Sequence, residues 1–397
     1  MEGSAKKILM VWGADYPWDV RIEKTSNSLI KAGHEVHLVC RNLERKPIFE
    51  RMAELNVHRL RAFPGILNAI LSIPFFLNII WLLKLRQVVK RCNIDMIVVR
   101  DLPMSPAGTF IASMFKLPCV LDMAEVYPAM WRVAFDEGRA TWGDRLLKNP
   151  KVAELIERRF LKKMSHIWVM VEESRQRLLD LGVKEKNISI VGNTPLISEE
   201  SSSVDVVSPS KGGAVKIIYT GIVSPMRGLD TVTYAVKKLK DDGFRVQFVV
   251  AGDGPYLQAI KELVQQLGLS EEVKLLGWVD HKQLPALLAD SHIGIVPHKV
   301  NGHTNTTLPN KLFDYMGYGL PVIVSNAIPL ERIVKECACG MAYQDQCVDS
   351  LKEAVVSLLE PGMLAQYGRS GREAYKEIYN WEVDEAVMVG DVARLLR

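Results

Sequence analysis

Short apolar runs alternate with longer amphipathic stretches along nearly the whole chain. In the longer stretches apolar residues recur at helical spacing, whereas the short runs have the length of buried strands. This alternation is typical of parallel sheets covered by helices. It predicts strands at Ile8–Trp12, Glu35–Cys40, Val57–Arg61, Asp95–Arg100, Cys119–Met123, His166–Val171 and Ile188–Val191 in a first half, and at Lys216–Thr220, Arg245–Ala251, Val273–Leu276, Ile293–Pro297 and Pro321–Ser325 in a second half.

A segment rich in serine, proline and glycine, residues 198–213, separates the two halves. It has little apolar surface to bury and therefore predicts a linker. We accordingly expect one Rossmann-like domain over residues 1–197 and a second over residues 214–378. The pattern of residues 379–397 predicts a helix that either closes the second domain or crosses back to the first. Two such α/β domains would face each other across a cleft at the carboxyl ends of their strands.

Charge and cysteine content exclude several classes of protein. Across 397 residues the net charge is only +4, which is too small for a nucleic-acid-binding protein but suits anionic substrates or an anionic membrane surface. The six cysteines show no matched pairs at zinc-ligand spacing, so we predict no metal site and expect a reducing, cytoplasmic compartment. The pair Lys6-Lys7 leads directly into a strand-length apolar run, which does not predict a signal peptide.

The stretch from Thr304 to Pro321 carries the clearest chemical signal. Hydroxyl side chains precede Pro309, a residue that favours the first turn of a helix. Lys311 and Asp314 then share one face of that helix. Hydroxyls, the helix N-terminus and Lys311 would suit a diphosphate, and Asp314 would suit two ribose hydroxyls. A capped surface helix with a Lys–Asp pair is the structural alternative. The binding candidates here are Thr306, Thr307, Lys311 and Asp314.

Glycine turns follow three predicted strands of the second half. A glycine frees the backbone to turn tightly, and Arg227 adds a charge with bidentate reach for phosphate. Each turn has a purely structural alternative, and for Trp278 we expect packing in a core or between domains, with stacking on a flat base as the alternative. The binding candidates at these turns are Gly221, Arg227, Gly252, Gly254, Gly277 and Trp278.

Taken together, these residues resemble the retaining glycosyltransferases of the GT-B fold, family 4 (glycosyl transferases group 1). The resemblance covers nearly the full length, and four motifs carry it: Gly221–Asp230, Ala251-Gly-Asp-Gly-Pro255, Leu276-Gly-Trp-Val279 and Lys311-Leu-Phe-Asp-Tyr-Met-Gly-Tyr-Gly-Leu-Pro321. It implies an enzyme that moves a sugar from a nucleotide-diphosphate donor, with a UDP-sugar expected, to an acceptor hydroxyl with retention. The donor is a substrate, and no other cofactor is implied. Cell-envelope, exopolysaccharide or glycolipid assembly is the expected setting.

The resemblance also assigns catalytic roles. Arg227 and Lys311 would stabilise the charge on the leaving diphosphate. Glu125 stands where related enzymes often carry an acid or a histidine near the reacting sugar; Asp122 is the alternative acid, and both could be structural. Thr306 occupies a position where the family motif has a glutamate that contacts the transferred sugar. This departure leaves the donor sugar open.

Residues 62–83 are strongly apolar and carry no charge, and basic residues follow as far as Arg91. Their length would span a bilayer, but they lie between two strands of one sheet, so both ends must stay on one side. We therefore expect residues 62–91 to contact the membrane surface, at the inner face, and to serve a sugar or lipid-linked acceptor. A helix buried against the sheet or in an oligomer interface is the alternative.

Other functions remain compatible with the same pattern. A nucleotide-sugar epimerase of the same fold would need no acceptor. A non-catalytic nucleotide-sugar-binding protein is favoured by Thr306 at the acidic position. A dinucleotide oxidoreductase is disfavoured, because no Gly-x-Gly-x-x-Gly follows the first strand.

Overall fold

The computed structural model describes residues 5–17, 19–74, 77–136, 138, 148–197 and 213–397. The chain divides into two compact units. Unit 1 comprises Met1–Asn193 and Asp384–Arg397, and unit 2 comprises Thr194–Val383. The predicted linker at 198–213 lies outside the described residues except for Gly213, and the predicted domain limits stay a prediction.

Unit 1 is built on a mostly parallel sheet. Its strands are β1 (Lys7–Trp12), β2 (Glu35–Cys40), β3 (Phe49–Met52), β4 (Leu55–Arg59), β5 (Met96–Arg100), β6 (Cys119–Met123), β7 (His166–Val169) and β8 (Ile188–Ile190). They are ordered β3-β4-β2-β1-β5-β6-β7-β8, and only the β3–β4 pair is antiparallel. Consecutive residues of β5 and β6 are buried, which requires cover on both faces of the sheet.

Helices connect these strands and supply that cover. Those of unit 1 in the described part of the chain are α1 (Val20–Lys31), α2 (Ile66–Leu71), α3 (Ile79–Cys92), α4 (Ser105–Phe115), α5 (Tyr127–Asp136), α6 (Pro150–Phe160) and α7 (Glu172–Asp180). Asp19 caps α1, because its side chain accepts a hydrogen bond from the Ile22 amide at 2.9 Å. Buried side chains from α3, α4 and α6 form one core with the central strands.

Unit 2 has a wholly parallel sheet. Its strands are β9 (Val215–Thr220), β10 (Val246–Ala251), β11 (Val273–Gly277), β12 (Ile293–Val296), β13 (Val322–Ser325) and β14 (Gly340–Tyr343), ordered β11-β10-β9-β12-β13-β14. The order reverses direction at β9, which is where a doubly wound sheet opens a crevice at the carboxyl ends of its strands. The functional candidates of this unit follow β9, β10, β11 and β12.

Its helices are α8 (Leu229–Asp241), α9 (Leu257–Gln266), α10 (Leu284–Ala289), α11 (Lys311–Gly317), α12 (Ile328–Glu336), α13 (Val348–Leu358) and α14 (Met363–Glu377). A last helix, α15 (Trp381–Leu395), follows, and its residues from Asp384 onward cluster with unit 1.

Every strand predicted from the sequence is present, with ends that differ by at most two residues, but β3 and β14 were not predicted. Strand β3 is short and its Phe49 is exposed, because it lies at the sheet edge. Strand β14 begins at Gly340, where a Cβ would lie 1.8 Å from the Val322 carbonyl oxygen. Strand β3 contains two charged residues and no apolar run, and β14 is only four residues long and opens with glycine.

A hydrogen-bonded carboxylate fastens α15 to the sheet of unit 1. Asp391 accepts a hydrogen bond from the buried Trp168 indole N–H at 3.1 Å and lies 3.0 Å from Nε2 of His166. Arg394 donates to the same carboxylate at 2.7 Å. Burial alone would raise the pKa of Asp391, but hydrogen bonds from His166, Arg394 and Ser189 outweigh it and hold the pKa far below its ordinary value.

We predict that Asp391→Ala lowers the free energy of unfolding by about 1–3 kcal/mol, because the Trp168 N–H would be left buried without its acceptor. The folded pKa of Asp391 is depressed, so its contribution is present above the unfolded pKa of about 4 and is lost as the pH falls through the folded pKa. Denaturant unfolding at pH 7 and at pH 3 should therefore show a smaller effect of the substitution at the lower pH. Glu382→Ala, an exposed change in the same helix, is the control. Equal effects of the two substitutions at pH 7 would contradict the assignment.

Candidate functional site

Two glycine turns meet backbone to backbone at the carboxyl ends of β9 and β10. The Gly221 amide donates to the Ala251 carbonyl oxygen at 2.9 Å, and the Val223 amide donates to that of Asp253 at 2.9 Å. A Cβ at Gly252 would lie 1.8 Å from the Gly221 oxygen, and one at Gly254 would lie 2.2 Å from the Val223 oxygen. Only glycine fits at either position, so the two predicted turns form one surface.

Lys311 reaches this surface from the start of α11. Its Nζ lies 3.6 Å from the centroid of the Tyr219 ring, which is cation–π geometry. A Cβ built on Gly221 would lie 3.2 Å from the same Nζ. The absence of a side chain at Gly221 therefore keeps the ammonium group approachable beside the turn.

Arg227 lies in the turn that leads into α8. Its Nη1 is 3.0 Å from Nδ1 and 2.9 Å from Nε2 of the buried His298. Gly228 has φ +63°, and a Cβ there would lie 2.0 Å from the Pro297 carbonyl oxygen, so glycine is required for the turn to pack against this loop. The loop after β12 thus fixes the position of the arginine.

The electrostatics of the group show a surplus of positive charge. Burial, and then the charge of Arg227, lower the pKa of Lys311 well below its ordinary value, and Asp314 acts in the opposite direction. Burial and the charges of Lys311, Arg227 and His303 lower the pKa of His298 well below its usual range. The imidazole is therefore neutral near pH 7, and a bound anion would relieve the repulsion between the two cations.

The threonine loop before α11 uses its hydroxyls internally. Thr304 Oγ1 accepts from the Asn301 amide at 2.8 Å, and Thr306 Oγ1 donates to the His303 carbonyl oxygen at 3.0 Å. Thr307 follows in extended conformation. Helix α11 begins without a side-chain cap, so the alternative of a capped surface helix does not describe it.

Gly277 is the last residue of the edge strand β11, and Trp278 follows it. Gly277 has φ +70° and forms an isolated bridge with Gly252, which joins this turn to the other two. The Trp278 side chain is 74% exposed, so the prediction that it packs into a core is wrong. The physical reason is its position, because β11 has a neighbouring strand on one side only.

The structure thus brings the predicted glycine turns, Arg227 and Lys311 to one edge of the unit 2 sheet, with Asp314 one turn further along α11. Sequence reasoning missed the residues that contact these cations, Tyr219 and His298. The signal for His298 was available, because this residue directly follows the predicted strand Ile293–Pro297.

In unit 1, a buried ion pair occupies the carboxyl end of β6. The Asp122 carboxylate accepts from Nε of Arg21 at 3.0 and 2.9 Å and from its Nη2 at 2.6 Å. The same guanidinium donates to the carbonyl oxygens of Gly192 and Val191 at 2.5 and 2.9 Å. Arg100 Nη1 adds a bond to Asp122 at 3.3 Å. Burial acts to raise the pKa of Asp122, but the two guanidinium groups outweigh it and the pKa is lowered.

Asp101 lies beside this pair, and Glu125 follows β6 along the chain. Asp101 has φ +66°, an uncommon conformation for a residue with a side chain, and its Oδ1 accepts from the Ala124 amide at 3.2 Å. Burial raises the pKa of Asp101 to about 6, although the positive charge of Arg100 acts to lower it. Glu125 lies between β6 and α5, close enough for its charge to help raise the pKa of Tyr127, after burial and Asp101. The role of Glu125 stays a prediction.

Within the described ranges, one group of potential metal ligands is found: His37, His58 and Cys92, whose ligand atoms lie within 4.8 Å of one another. Nδ1 of His37 and Nε2 of His58 are already hydrogen-bonded at 3.0 Å. Burial, with the charges of His37 and Lys84, lowers the pKa of His58 to about 4. Because the two rings satisfy each other and a lysine lies nearby, we assign no metal to this group.

Comparison with known proteins identifies both halves of the chain. Residues 19–194 match the family model of the glycosyl transferase 4-like domain, and residues 203–376 match that of glycosyl transferases group 1. A curated relative, the GDP-mannose-dependent alpha-(1-6)-phosphatidylinositol monomannoside mannosyltransferase of Mycobacterium tuberculosis, is 26% identical over 161 residues, which are 40% of this chain and 42% of the relative. The chain therefore spans about two fifths of the length of the curated relative that it matches.

Two solved structures share the fold over nearly the whole chain. Sucrose-phosphate synthase from Thermosynechococcus elongatus has a TM-score of 0.74 at 16% identity. The alignment covers 98% of this chain and 99% of the synthase chain. Anabaena HepE, in complex with UDP and glucose, has a TM-score of 0.67 at 14% identity and covers 98% of this chain and 100% of its own. The predicted fold class, two Rossmann-like domains of the GT-B type, is confirmed.

We predict that Arg21→Leu costs about 3–5 kcal/mol of unfolding free energy, because it leaves the Asp122 carboxylate buried with Arg100 as its remaining cation. Denaturant unfolding of the full chain measures the loss. Arg86→Leu, which removes an exposed guanidinium from the same unit, should change the stability by less than about 1 kcal/mol. If both variants unfold like the unchanged protein, the pair does not hold β6 to α1.

Proposed function

We propose that this chain, which carries a glycosyl transferase 4-like domain followed by a glycosyl transferases group 1 domain, moves a sugar from a nucleoside diphosphate to an acceptor hydroxyl. The prediction of a glycosyltransferase is confirmed at the level of these two domains. The donor, the acceptor and the stereochemistry are our proposals.

One observation carries the proposal: Lys311 lies beside the glycine turn at Gly221, and the charge of Arg227 acts on it more strongly than the charge of Asp314. A diphosphate would approach backbone amides at the turn and both cations at once. In sugar transfer the negative charge on the diphosphate grows as the glycosidic bond breaks. Fixed cations in a partly buried site therefore stabilise the transition state more than the bound donor.

UDP is the nucleotide that we favour. HepE, which shares the fold, was solved with UDP and glucose, although the mannosyltransferase relative is named for GDP-mannose. Asp314, one helical turn beyond Lys311, would accept the ribose hydroxyls, as acidic residues do in dinucleotide folds. The exposed indole of Trp278 beside Gly277 offers a face on which the base can stack.

We further propose retention of configuration without a metal. Lys311 and Arg227 supply the positive charge that a divalent ion would otherwise bring to the diphosphate. The leaving phosphate then accepts the proton of the acceptor hydroxyl on the same face of the sugar ring. Glu125 would hold a sugar hydroxyl or offset the positive charge that develops on the ring. The relative's name specifies a phosphatidylinositol glycolipid, which supports a lipid-linked acceptor here.

A panel of UDP-, GDP-, ADP- and dTDP-sugars tests the donor by thermal shift. We expect selective stabilisation by the UDP-sugar, reaching about 2.7 kcal/mol when the ligand is present at a hundredfold excess over Kd.

Lys311→Ala should weaken donor binding and turnover by at least about tenfold, the scale of a lost charge-assisted phosphate contact.

The matched control is Lys261→Ala, which removes an exposed lysine from α9 of the same unit and should leave donor affinity unchanged. A folded protein that responds to none of the four nucleotides would overturn the proposed function. Unchanged affinity in Lys311→Ala would remove that lysine from the site, and stabilisation by GDP alone would replace the UDP assignment.

Donor binding should also take up protons. The pKa of Lys311 is depressed in the free protein by burial and by Arg227, and a bound diphosphate would raise it. Between the free and bound pKa values the complex holds more protons, so affinity for UDP falls as the pH rises through that range. Calorimetry in two buffers of different ionisation enthalpy measures the uptake. The same uptake in Lys311→Ala would assign it to another group.

A further inference from the structure

Helix α2 buries polar side chains and exposes apolar ones, the reverse of an ordinary surface helix. Its Asn68 and the following Ser72 are buried, whereas Ile66 is 76% exposed and Ile70 is 51% exposed. Leu67 is exposed as well. A helix at the surface of a globular protein normally buries its apolar stripe and exposes polar residues. Here the apolar side chains are turned outward.

Hydrogen bonds hold this inverted orientation. Asn68 Nδ2 donates to the Asn42 carbonyl oxygen at 2.8 Å, and Asn68 Oδ1 accepts from the Phe63 amide at 3.1 Å. Ser72 Oγ accepts from Nε of Arg41 at 2.9 Å. Rotating the helix to bury its isoleucines would break all of these bonds in the interior.

The exposed apolar surface continues onto the start of α3. The Trp81 indole N–H donates to the Ser72 carbonyl oxygen at 3.1 Å, and Asn78 Nδ2 donates to that of Leu71 at 2.8 Å, so the two helices are tied together. We call the whole surface the apolar face; its exposed members are Ile66, Leu67, Ile70, Leu77, Ile79 and Leu83.

A pocket of about 500 Å³ adjoins this face along α3. Leu83 belongs to both, and the pocket is lined further by apolar side chains such as Ile80 and Phe49. Arg61, Lys84 and Arg91 contribute positive charge to its wall. A concave surface with apolar walls and cationic groups suits a ligand that has both an apolar part and an anionic group.

The chain segment that carries the apolar face has charge of one sign. From residue 55 to residue 94 the sequence contains basic residues and no aspartate or glutamate. Four of the basic residues are exposed, and within the part of the chain that the structure describes they form no ion pair: Arg61, Arg86, Lys90 and Arg91. Such a surface is complementary to anionic phosphate groups.

No helix among the described residues is long and apolar enough to cross a membrane. We propose that the apolar face, with the basic pocket beside it, binds the surface of an anionic phospholipid bilayer. The six apolar side chains enter the boundary between headgroups and acyl chains, and the four exposed cations contact lipid phosphates. A second copy of this chain fits the surface less well, because a two-fold contact would bring the two sets of cations together.

Vesicle flotation tests the proposal on the full chain, with no nucleotide sugar present. The probes are vesicles of equal parts phosphatidylglycerol and phosphatidylcholine, and vesicles of phosphatidylcholine alone. The apolar variant combines Ile66→Ser, Leu67→Ser and Ile70→Ser, and the charge variant combines Arg86→Glu and Lys90→Glu. These side chains face solvent, so both variants should fold, which circular dichroism checks.

We expect the protein to bind the anionic vesicles and each variant to lose at least about tenfold in partitioning. The controls lie on the outer face of α6: Leu155→Ser, and the pair Lys151→Glu with Arg158→Glu, should bind as the unchanged protein does. Equal binding to both kinds of vesicle, or equal losses in the controls, overturns the proposal. Light scattering that shows a dimer lost in the apolar variant assigns the face to a second copy instead. Because no donor is present, the outcome is independent of the proposed sugar transfer.

Discussion

The contact between two backbone turns determines where the candidate donor residues of unit 2 lie. The backbone at Gly252 approaches the Gly221 carbonyl oxygen so closely that a Cβ would stand 1.8 Å from it. Because neither position bears a side chain, the ends of β9 and β10 lie against each other and the space above them stays open. Lys311 reaches this space over the Tyr219 ring. The contacts assigned to the diphosphate therefore follow from two missing side chains.

The buried charges of the two units differ in how far other groups of the chain compensate them. In unit 1, Arg21 and Asp122 compensate each other fully within the fold, with carbonyl oxygens taking the remaining guanidinium donors. In unit 2, Lys311 and Arg227 repel each other, and a neutral His298 supports the arginine. The proposed diphosphate would relieve this repulsion. This contrast supports a structural role for Arg21 and Asp122 and the proposed donor-binding role for Lys311 and Arg227.

Much of the fold could be predicted because a buried parallel strand leaves an unbroken apolar run in the sequence. The edge strand β3 contains charged residues and has no such run, and the edge strand β14 is short and opens with glycine, so both were missed. The residue types of the site were also visible, since glycine turns and a lysine at a helix start have local signatures. His298 directly follows a predicted strand, but the roles of Tyr219 and His298 could not be predicted, because they depend on contacts made only after folding. The sequence predicted an apolar segment at the surface around Ile66 and Ile70, but not that buried Asn68 would set which of its side chains face outward.

The attachment of α15 has a consequence for the order in which the chain matures. Residues from Asp384 onward belong to unit 1, and Asp391 completes the hydrogen bonding of the buried Trp168. During synthesis these residues leave the ribosome only after all of unit 2 has been made. Domains commonly fold as they emerge, the first before the second. Here α15, which completes unit 1, is made last. The Trp168 indole therefore stays without Asp391 until translation of the second unit is complete.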